Sequence, residues 1–341
     1  CDQEYLAGLR TTPESTDLYA TLAYMHQHNV THVVMEVSSH GLALDRVAGL
    51  HFASAVFTNL SQDHLDFHGT MEDYFAAKAR LFTMTDSAVV NSDDAYGARL
   101  LNQIPSTVSV MTCGAQSDVQ ASDVTSHGNG RTLFQVQIQH TSLPIDLPMI
   151  GDFNVMNALC AISASTQVGI SAATAATLLS DFPGVPGRCE RVSPSGEALA
   201  IVDYAHTPDA VEKILTQLRR ATSGRLICVI GCGGDRDPHK RYDMGNIAAS
   251  ISDVVVVTDD NPRTEKPESI RAQVMQGATA GSAEVHEIGD RRDAISYALS
   301  VATHGDIVAV LGKGHESGQE INGEVFPFDD REVIRQVSSH A

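Results

Sequence analysis

The sequence lacks long apolar runs and has few cationic side chains. Its longest apolar stretches, such as Val254–Val257 and Ile307–Leu311, stop far short of the roughly 20 residues needed to span a bilayer. Lys and Arg number 23 against 42 Asp and Glu, which gives a formal net charge of −19. Such an acidic surface repels a phosphate backbone, so the charge predicts a protein that does not bind nucleic acid. The short apolar stretches predict that it does not insert into a membrane.

The sequence also lacks a CxxC pair and a signal peptide. Its six cysteines therefore predict buried free thiols in a reducing cytoplasm, not a disulfide framework or a zinc site. They are Cys1, Cys113, Cys160, Cys189, Cys228 and Cys232. The first residue is Cys1 and not Met, which suggests a chain that begins partway through a longer protein.

Runs rich in β-branched residues alternate with helical patterns along the 341 residues, which indicates an α/β fold in two domains. In the first half, this alternation predicts helices at 17–28 and 71–82 and strands at 32–37, 53–59 and 87–91. Short alternating segments between 106 and 147 predict an antiparallel insertion.

The turn-rich segment 181–187 is the best candidate for a domain boundary. We therefore expect domains at 1–183 and 184–341. Helices are predicted before this boundary at 154–167 and 171–179. Beyond it, strands are predicted at 198–203, 226–231, 254–258, 284–288 and 307–311, with helices at 208–221, 244–250, 269–277 and 290–302 between them.

Two polar motifs follow predicted strands in the first half. Glu36 lies in Glu-Val-Ser-Ser-His-Gly, and Asp63 and Asp66 lie in Asp-His-Leu-Asp-Phe-His-Gly. Carboxylates at the carboxyl ends of strands are candidate Mg²⁺ ligands, whereas His64 and His68 could equally be capping or core groups. Spacing alone predicts that Lys78 is a solvated lysine.

Four motifs follow strands of the second half. The Asp203 to His206 corner suits a nucleotide, although a helix entry would also explain it. The glycines of 231–234 can bring backbone N–H groups to an anion, but their spacing is not GxGxxG, so a nicotinamide cofactor is not favoured. Arg263 can bind a carboxylate and Glu316 can accept from an ammonium, so the two motifs that hold them predict a zwitterionic ligand.

Taken in order, these motifs resemble those of the Mur ligases, and within them the MurE branch, over essentially the whole chain. The matching blocks are Glu-Val-Ser-Ser-His-Gly, Thr-Asn-Leu-Ser-Gln-Asp-His-Leu-Asp-Phe-His-Gly, Asp-Tyr-Ala-His-Thr-Pro-Asp, Gly-Cys-Gly-Gly-Asp-Arg-Asp, Asp-Asp-Asn-Pro-Arg and Gly-Lys-Gly-His-Glu. The resemblance implies a central P-loop-NTPase-like domain followed by a C-terminal Rossmann-like domain. It also implies a preceding UDP-binding domain that this sequence does not contain.

The resemblance implies an ATP-dependent ligase that works in the cytoplasm as a monomer. It would join meso-diaminopimelate to the D-Glu of UDP-MurNAc-L-Ala-D-Glu through an acyl phosphate, in the synthesis of peptidoglycan precursors. Mg²⁺ would neutralise phosphoryl charge. Glu36 and His68 would hold Mg²⁺ together with a carbamylated Lys78, which reverses the prediction of a solvated lysine.

The resemblance also assigns binding residues by motif. Thr11, Thr12, Ser38 and Arg46 match positions that hold the nucleotide-peptide substrate, while Leu44 stands where relatives often carry a glutamine. Asn154, Arg188, Asp203 and His206 match ATP-binding positions. The incoming amino acid would be held by Arg241, Asp260, Asn261, Pro262, Arg263, Gly312 and Glu316.

Arg263 favours diaminopimelate over lysine, because its positive charge can pair with the carboxylate at the far end of diaminopimelate, which lysine lacks. No GxxxxGK[ST] phosphate loop exists in the sequence, so the chain as given is expected to be inactive. Two alternatives remain open. One is another ligase of the superfamily, which would add lysine or D-Ala-D-Ala or act as a folylpolyglutamate synthase. The other is a non-catalytic protein that retains an amino-acid pocket.

Overall fold

A computed structural model describes residues 10–127, 130–192 and 198–338. Cys1 lies outside these residues. The chain divides into two compact units, each described separately below. The first comprises Cys1–Ala121, Val136–Leu143 and Met156–Ala176, and the second comprises Ser122–Gln135, Pro144–Val155 and Thr177–Ala341.

The first sheet has six strands whose order in space follows the chain. The strands are β1 Phe52–Phe57, β2 Thr85–Asn91, β3 Ser109–Cys113, β4 Val119–His127, β5 Arg131–Ile138 and β6 Thr141–Leu147. The helices of this part are α1 Ser15–Gln27, α2 Ser39–Ala43, α3 Leu65–His68, α4 Met71–Ala79, α5 Ala95–Leu100, α6 Asp152–Gln167 and α7 Ala172–Ser180. The predicted helix 71–82 thus ends at Ala79 and continues as a 3-10 turn, Arg80–Thr83.

The predicted strand at 32–37 is wrong. Residues 32–37 have no regular secondary structure, and β1 pairs only with β2 among the described residues. A strand exists only where a neighbour takes up its backbone hydrogen bonds, which apolar β-branched side chains alone do not supply. Val34, at the centre of this segment, is 99% exposed.

The predicted antiparallel insertion is also wrong at its start. β3 pairs with β2 in parallel, and its single pair with β4 is parallel as well. The sequence reading missed α5, which the Asp94 carboxylate caps by accepting from the amides of Tyr96 and Gly97. With a helix in the connection, β2 and β3 form a crossover unit, whose strands run parallel.

The second sheet contains all five strands predicted for the second half. Its order is β11-β10-β9-β12-β8-β7, and all neighbours are parallel except the short β7. The strands are β7 Glu190–Arg191, β8 Leu199–Asp203, β9 Leu226–Ile230, β10 Val254–Val257, β11 Glu284–Glu287 and β12 Ile307–Leu311. The helices are α8 Pro208–Ala221, α9 Lys240–Ile251, α10 Pro267–Ala278, α11 Arg291–Val301 and α12 Asp330–Ser338.

The central strands of this sheet are buried on both faces. Every residue of β9, β10 and β12 is buried, as strands covered by helices on both sides require. A separate antiparallel hairpin, β13 Gly318–Ile321 and β14 Glu324–Pro327, precedes α12. Neither the hairpin nor α12 was predicted from the sequence.

The cysteine prediction is confirmed where it can be checked. Cys113, Cys160, Cys189, Cys228 and Cys232 are all free and buried. Burial raises the pKa of Cys189 and of Cys228 to about 12, which keeps both thiols protonated and unreactive near neutral pH. In the described parts of the chain, no helix combines the length and the apolar character that crossing a membrane requires.

Candidate functional site

Four neighbouring parallel strands of the second sheet, β10, β9, β12 and β8, end at the same edge. The motifs that follow these strands therefore lie at one edge of the sheet. Gly312 shows how closely they approach. Its φ is +113°, and a β-carbon there would lie 2.7 Å from an Asp260 carboxylate oxygen. Only glycine fits between the end of β12 and the loop after β10.

Asn261, Lys313 and Glu316 form a hydrogen-bonded cluster at this edge. Asn261 Nδ2 donates to Glu316 Oε2 over 2.9 Å. Lys313 Nζ donates to Asn261 Oδ1 over 2.9 Å and to Glu316 Oε2 over 3.1 Å. Lys313 is fully buried, whereas the Glu316 side chain is 33% exposed. Two of the predicted amino-acid-binding residues are thus brought together by a lysine to which the sequence reading gave no role.

Arg263 lies on the neighbouring side of the same loop, with a left-handed backbone at φ +53°. Its Nε donates to Glu320 Oε2 over 3.1 Å, and its Nη1 donates to the Gly234 carbonyl over 2.7 Å. Within the described residues, no hydrogen bond is made by Nη2. The side chain is 22% exposed, and a guanidinium N–H group without a partner is a donor that a carboxylate can use.

Arg241 is engaged differently. Its guanidinium is 1% exposed and forms an ion pair with Glu265, with N–O distances of 2.8 and 3.0 Å. It also donates to Gln273 Oε1 and to the Gly233 carbonyl. In this structure, the predicted ligand contact at Arg241 is occupied by side chains of the protein itself.

The predicted nucleotide corner lies at the end of β8. The Asp203 carboxylate accepts from the amides of Cys189 and Ala205 over 2.6 and 2.8 Å, and burial raises its pKa. The Arg188 guanidinium stacks 4.7 Å from the centre of the Tyr204 ring. His206 Nδ1 lies 2.8 Å from the Tyr204 carbonyl oxygen, which holds the imidazole against its own turn.

Asn154, another of the predicted ATP-binding residues, is buried near the start of α6. Its Nδ2 donates to the Ile150 carbonyl over 2.8 Å. This bond fixes the amide within the first turn of the helix.

In the first unit, Thr12 joins the segment 36–38 to the chain before α1. Its hydroxyl donates to the Glu36 carbonyl over 3.0 Å and accepts from the Ser38 amide over 2.9 Å. Arg46 donates to the Thr12 carbonyl over 3.2 Å. Three of the four residues predicted to hold the nucleotide-peptide substrate therefore form one network, while Thr11 is exposed beside it.

The predicted metal-binding residues lie around the partly buried Lys78. Its ammonium lies 5.7 Å from the centre of the Tyr74 ring, and that ring stacks on His68 at 5.1 Å. Burial lowers the pKa of Lys78, and the nearby negative charge of Glu36 partly opposes this shift. His68 Nε2 lies 2.9 Å from Ser39 Oγ, and burial also lowers the pKa of the imidazole.

The other candidate metal ligands lie on the surface. Asp63 is exposed and caps the amide of His64 over 2.8 Å, and Asp66 is exposed. Throughout residues 10–127, 130–192 and 198–338, no three His, Cys, Asp or Glu side chains are arranged to hold a metal ion. Leu44, which stands where relatives often carry a glutamine, directly follows α2 and is 53% exposed.

Comparison with known proteins agrees with this geometry. The profile of the Mur ligase middle domain matches residues 4–165, and that of the Mur ligase glutamate ligase domain matches residues 187–314. A Corynebacterium glutamicum protein named UDP-N-acetylmuramoyl-L-alanyl-D-glutamate--2,6-diaminopimelate ligase is 46% identical over 98% of this chain and 67% of its own length. The chain spans about two thirds of the length of the curated relatives it matches.

Solved structures extend the comparison. A structure of a UDP-N-acetylmuramoyl-L-alanyl-D-glutamate--2,6-diaminopimelate ligase shares 38% identity and a TM-score of 0.69, over 97% of this chain and 69% of that one. MurF ligase from Thermotoga maritima in complex with ADP shares the fold at 17% identity and a TM-score of 0.63, over 89% of this chain and 65% of that one. From these matches and the ordered motifs, the chain belongs to the Mur ligase family.

Proposed function

We propose that this chain is the catalytic portion of a cytoplasmic, monomeric, ATP-dependent ligase, with a central domain at 1–183 and a C-terminal domain at 184–341. The ligase would join meso-diaminopimelate to UDP-MurNAc-L-Ala-D-Glu. The observation that carries this proposal is Arg263, whose Nη2 makes no hydrogen bond to the residues that the structure describes and which lies at the same strand edge as the Asn261 and Glu316 pair. A cation beside a carboxylate suits the far end of diaminopimelate, which is itself an amino acid.

The remaining residues would divide the other tasks. Thr11, Thr12, Ser38 and Arg46 would hold the nucleotide-peptide. Asn154, Arg188, Asp203 and His206 would hold ATP. In the amino-acid pocket, Asp260, Pro262 and Gly312 would shape the walls around Arg263, and Arg241 would exchange its pairing with Glu265 for a ligand carboxylate. The bound glutamate carboxylate would be activated as an acyl phosphate before the amine attacks.

A panel of amino acids tests the assignment on this chain. Isothermal titration calorimetry should detect binding of meso-diaminopimelate, at least tenfold tighter than binding of L-lysine, because only the former presents a carboxylate to Arg263. LL-diaminopimelate and D-Ala-D-Ala complete the panel. Tighter binding of lysine would favour a lysine-adding ligase, and no binding of any member would remove the proposal.

The residues around Lys78 fit a Mg²⁺ site only if Lys78 is modified. Glu36 supplies one carboxylate and His68 one imidazole, whereas Mg²⁺ prefers several oxygen ligands. The lowered pKa of Lys78 increases the fraction of neutral amine, the form that adds to CO2 with loss of a proton to give a carbamate. That carbamate would add oxygen ligands, and the bound ion would supply charge stabilisation for phosphoryl oxygens.

We therefore expect carbamylation of Lys78 in bicarbonate buffer. With ¹³C-bicarbonate at pH 8, carbon NMR of the chain should show a carbamate resonance that is absent in Lys78→Arg. The matched control is Lys213→Arg, because Lys213 is an exposed helix lysine paired with Asp209. Its spectrum should keep the resonance. A spectrum of the unmodified chain without any carbamate signal would contradict the proposed site.

A further inference from the structure

Lys313 is a fully buried cation that lies behind the proposed amino-acid pocket. Burying an ammonium is costly unless it is paired and hydrogen-bonded, and here both of its recorded partners are pocket residues, Asn261 and Glu316. With no exposed surface, Lys313 does not itself reach a ligand. Its effect on binding must therefore pass through these two side chains.

The hydrogen bonds around Asn261 allow only one orientation of its amide. The Lys313 ammonium and the Glu320 backbone amide can only donate, and both point at Asn261 Oδ1, over 2.9 and 3.0 Å. The oxygen is thereby held on the protein side. The Nδ2 group then faces Glu316, to which it donates one hydrogen over 2.9 Å. Within the described residues, its second hydrogen has no acceptor.

We propose that Lys313 is a positioning residue that selects a ligand whose far end carries both an ammonium and a carboxylate. By fixing the Asn261 amide, it presents an N–H donor in the same loop as Arg263, so that both groups would donate to a carboxylate. By holding Glu316 Oε2, it leaves Oε1 for the ammonium. This inference rests on the proposed function, since it concerns the same pocket.

Loss of the Lys313 charge should therefore change selectivity as well as stability. Without the ammonium, Asn261 Oδ1 keeps only the Glu320 amide as a donor, so the orientation that offers the Asn261 N–H to a ligand is held less strongly. A rotated amide presents an acceptor, which is unfavourable for the far carboxylate of diaminopimelate but tolerates the far ammonium of lysine. A residue that merely supported the fold would weaken both ligands alike.

The test measures dissociation constants of the chain for meso-diaminopimelate and L-lysine by calorimetry, in the wild type and in Lys313→Met. The ratio of the lysine constant to the diaminopimelate constant should fall about tenfold in Lys313→Met. The matched control is Arg225→Met, which removes a cation from an ion pair with Asp306 at the opposite end of the same strands. Its ratio should match that of the wild type.

The outcomes distinguish the role of Lys313 from the existence of the amino-acid pocket. If the wild type binds diaminopimelate and Lys313→Met keeps its ratio, the role of Lys313 is wrong while the pocket stands. If the wild type binds neither amino acid, both fall.

Should Lys313→Met fail to fold, NMR of the wild type still decides the matter. A coupling across the hydrogen bond from the Glu320 amide nitrogen to the Asn261 side-chain carbonyl carbon supports the proposed orientation, because it requires Oδ1 to be the acceptor. Absence of this coupling in a spectrum that resolves such couplings between backbone groups of the same unit overturns it.

Discussion

Replacing Arg263 by Met is expected to weaken binding of meso-diaminopimelate by about a hundredfold while changing lysine binding less than about threefold. Removing one partner of a desolvated charge pair costs several kcal/mol, because the other charge is left without its counterion. Only diaminopimelate has a carboxylate at its far end, whereas lysine has an ammonium alone. Methionine keeps the apolar stem of the side chain, so the comparison isolates the guanidinium. Calorimetry of both amino acids on the purified variant measures the difference.

The control for this prediction is an arginine of the same unit with a comparable hydrogen bond. The Arg292 guanidinium donates to Gln336 Oε1 over 2.9 Å on an exposed helix face. Arg292→Met should leave both affinities unchanged. Because Arg263 also holds Glu320 and the Gly234 carbonyl, circular dichroism must first show that Arg263→Met is folded at the temperature of the titration. Equal losses for both ligands would refute a role in recognising the far carboxylate.

Replacing Asp330 by Ala is expected to lower the free energy of unfolding of the second unit by about 3–5 kcal/mol. Asp330 and Arg291 are both completely buried and joined by two hydrogen bonds of 2.7 Å. Arg291 also donates to the Leu311 carbonyl, just before Gly312. Without the carboxylate, the guanidinium is left buried and uncompensated. Urea unfolding followed by circular dichroism measures the loss.

Two further variants interpret that loss. The double replacement Arg291→Met with Asp330→Leu removes both charges and should recover most of the stability, because an apolar pair of similar volume avoids the desolvation cost. Asp209→Ala breaks the exposed pair with Lys213 and should cost less than about 1 kcal/mol. A loss for Asp330→Ala no larger than that for Asp209→Ala would show that the buried pair contributes little.

The sequence predicted the second sheet well because its strands are buried on both faces. Continuous β-branched runs such as Val254–Val257 are unmistakable when Gly, Asp and Asn follow them. The hairpin before α12 was missed although Asn322-Gly323 signals it, since both residues have the positive φ that a tight hairpin turn requires. Its strands have only four residues each, and every residue of β14 is exposed, so no buried apolar run marks them. The direction of β3 was missed because alternation does not encode direction.

The site was predictable where its residues follow strands in a recognisable order. Asn261 and Arg263 come from the loop after β10 and Glu316 from the loop after β12, yet parallel strands place those two loops at one edge. Lys313 was not assigned, because a lysine between two glycines is normally solvated. Its complete burial depends on packing between chain segments about 50 residues apart, which no local pattern contains. Spacing alone likewise predicted that Lys78 is a solvated lysine. Only the resemblance to the Mur ligases indicated a role for it in holding Mg²⁺.

The segment 31–37 has a practical consequence for handling the protein. It has no regular secondary structure and is rich in β-branched residues, it pairs with no strand in the parts of the chain that the structure describes, and its centre, Val34, is 99% exposed. Free backbone groups beside apolar side chains are a template for pairing between copies. We therefore expect the protein to self-associate through this segment at high concentration. Val34→Lys should reduce this self-association.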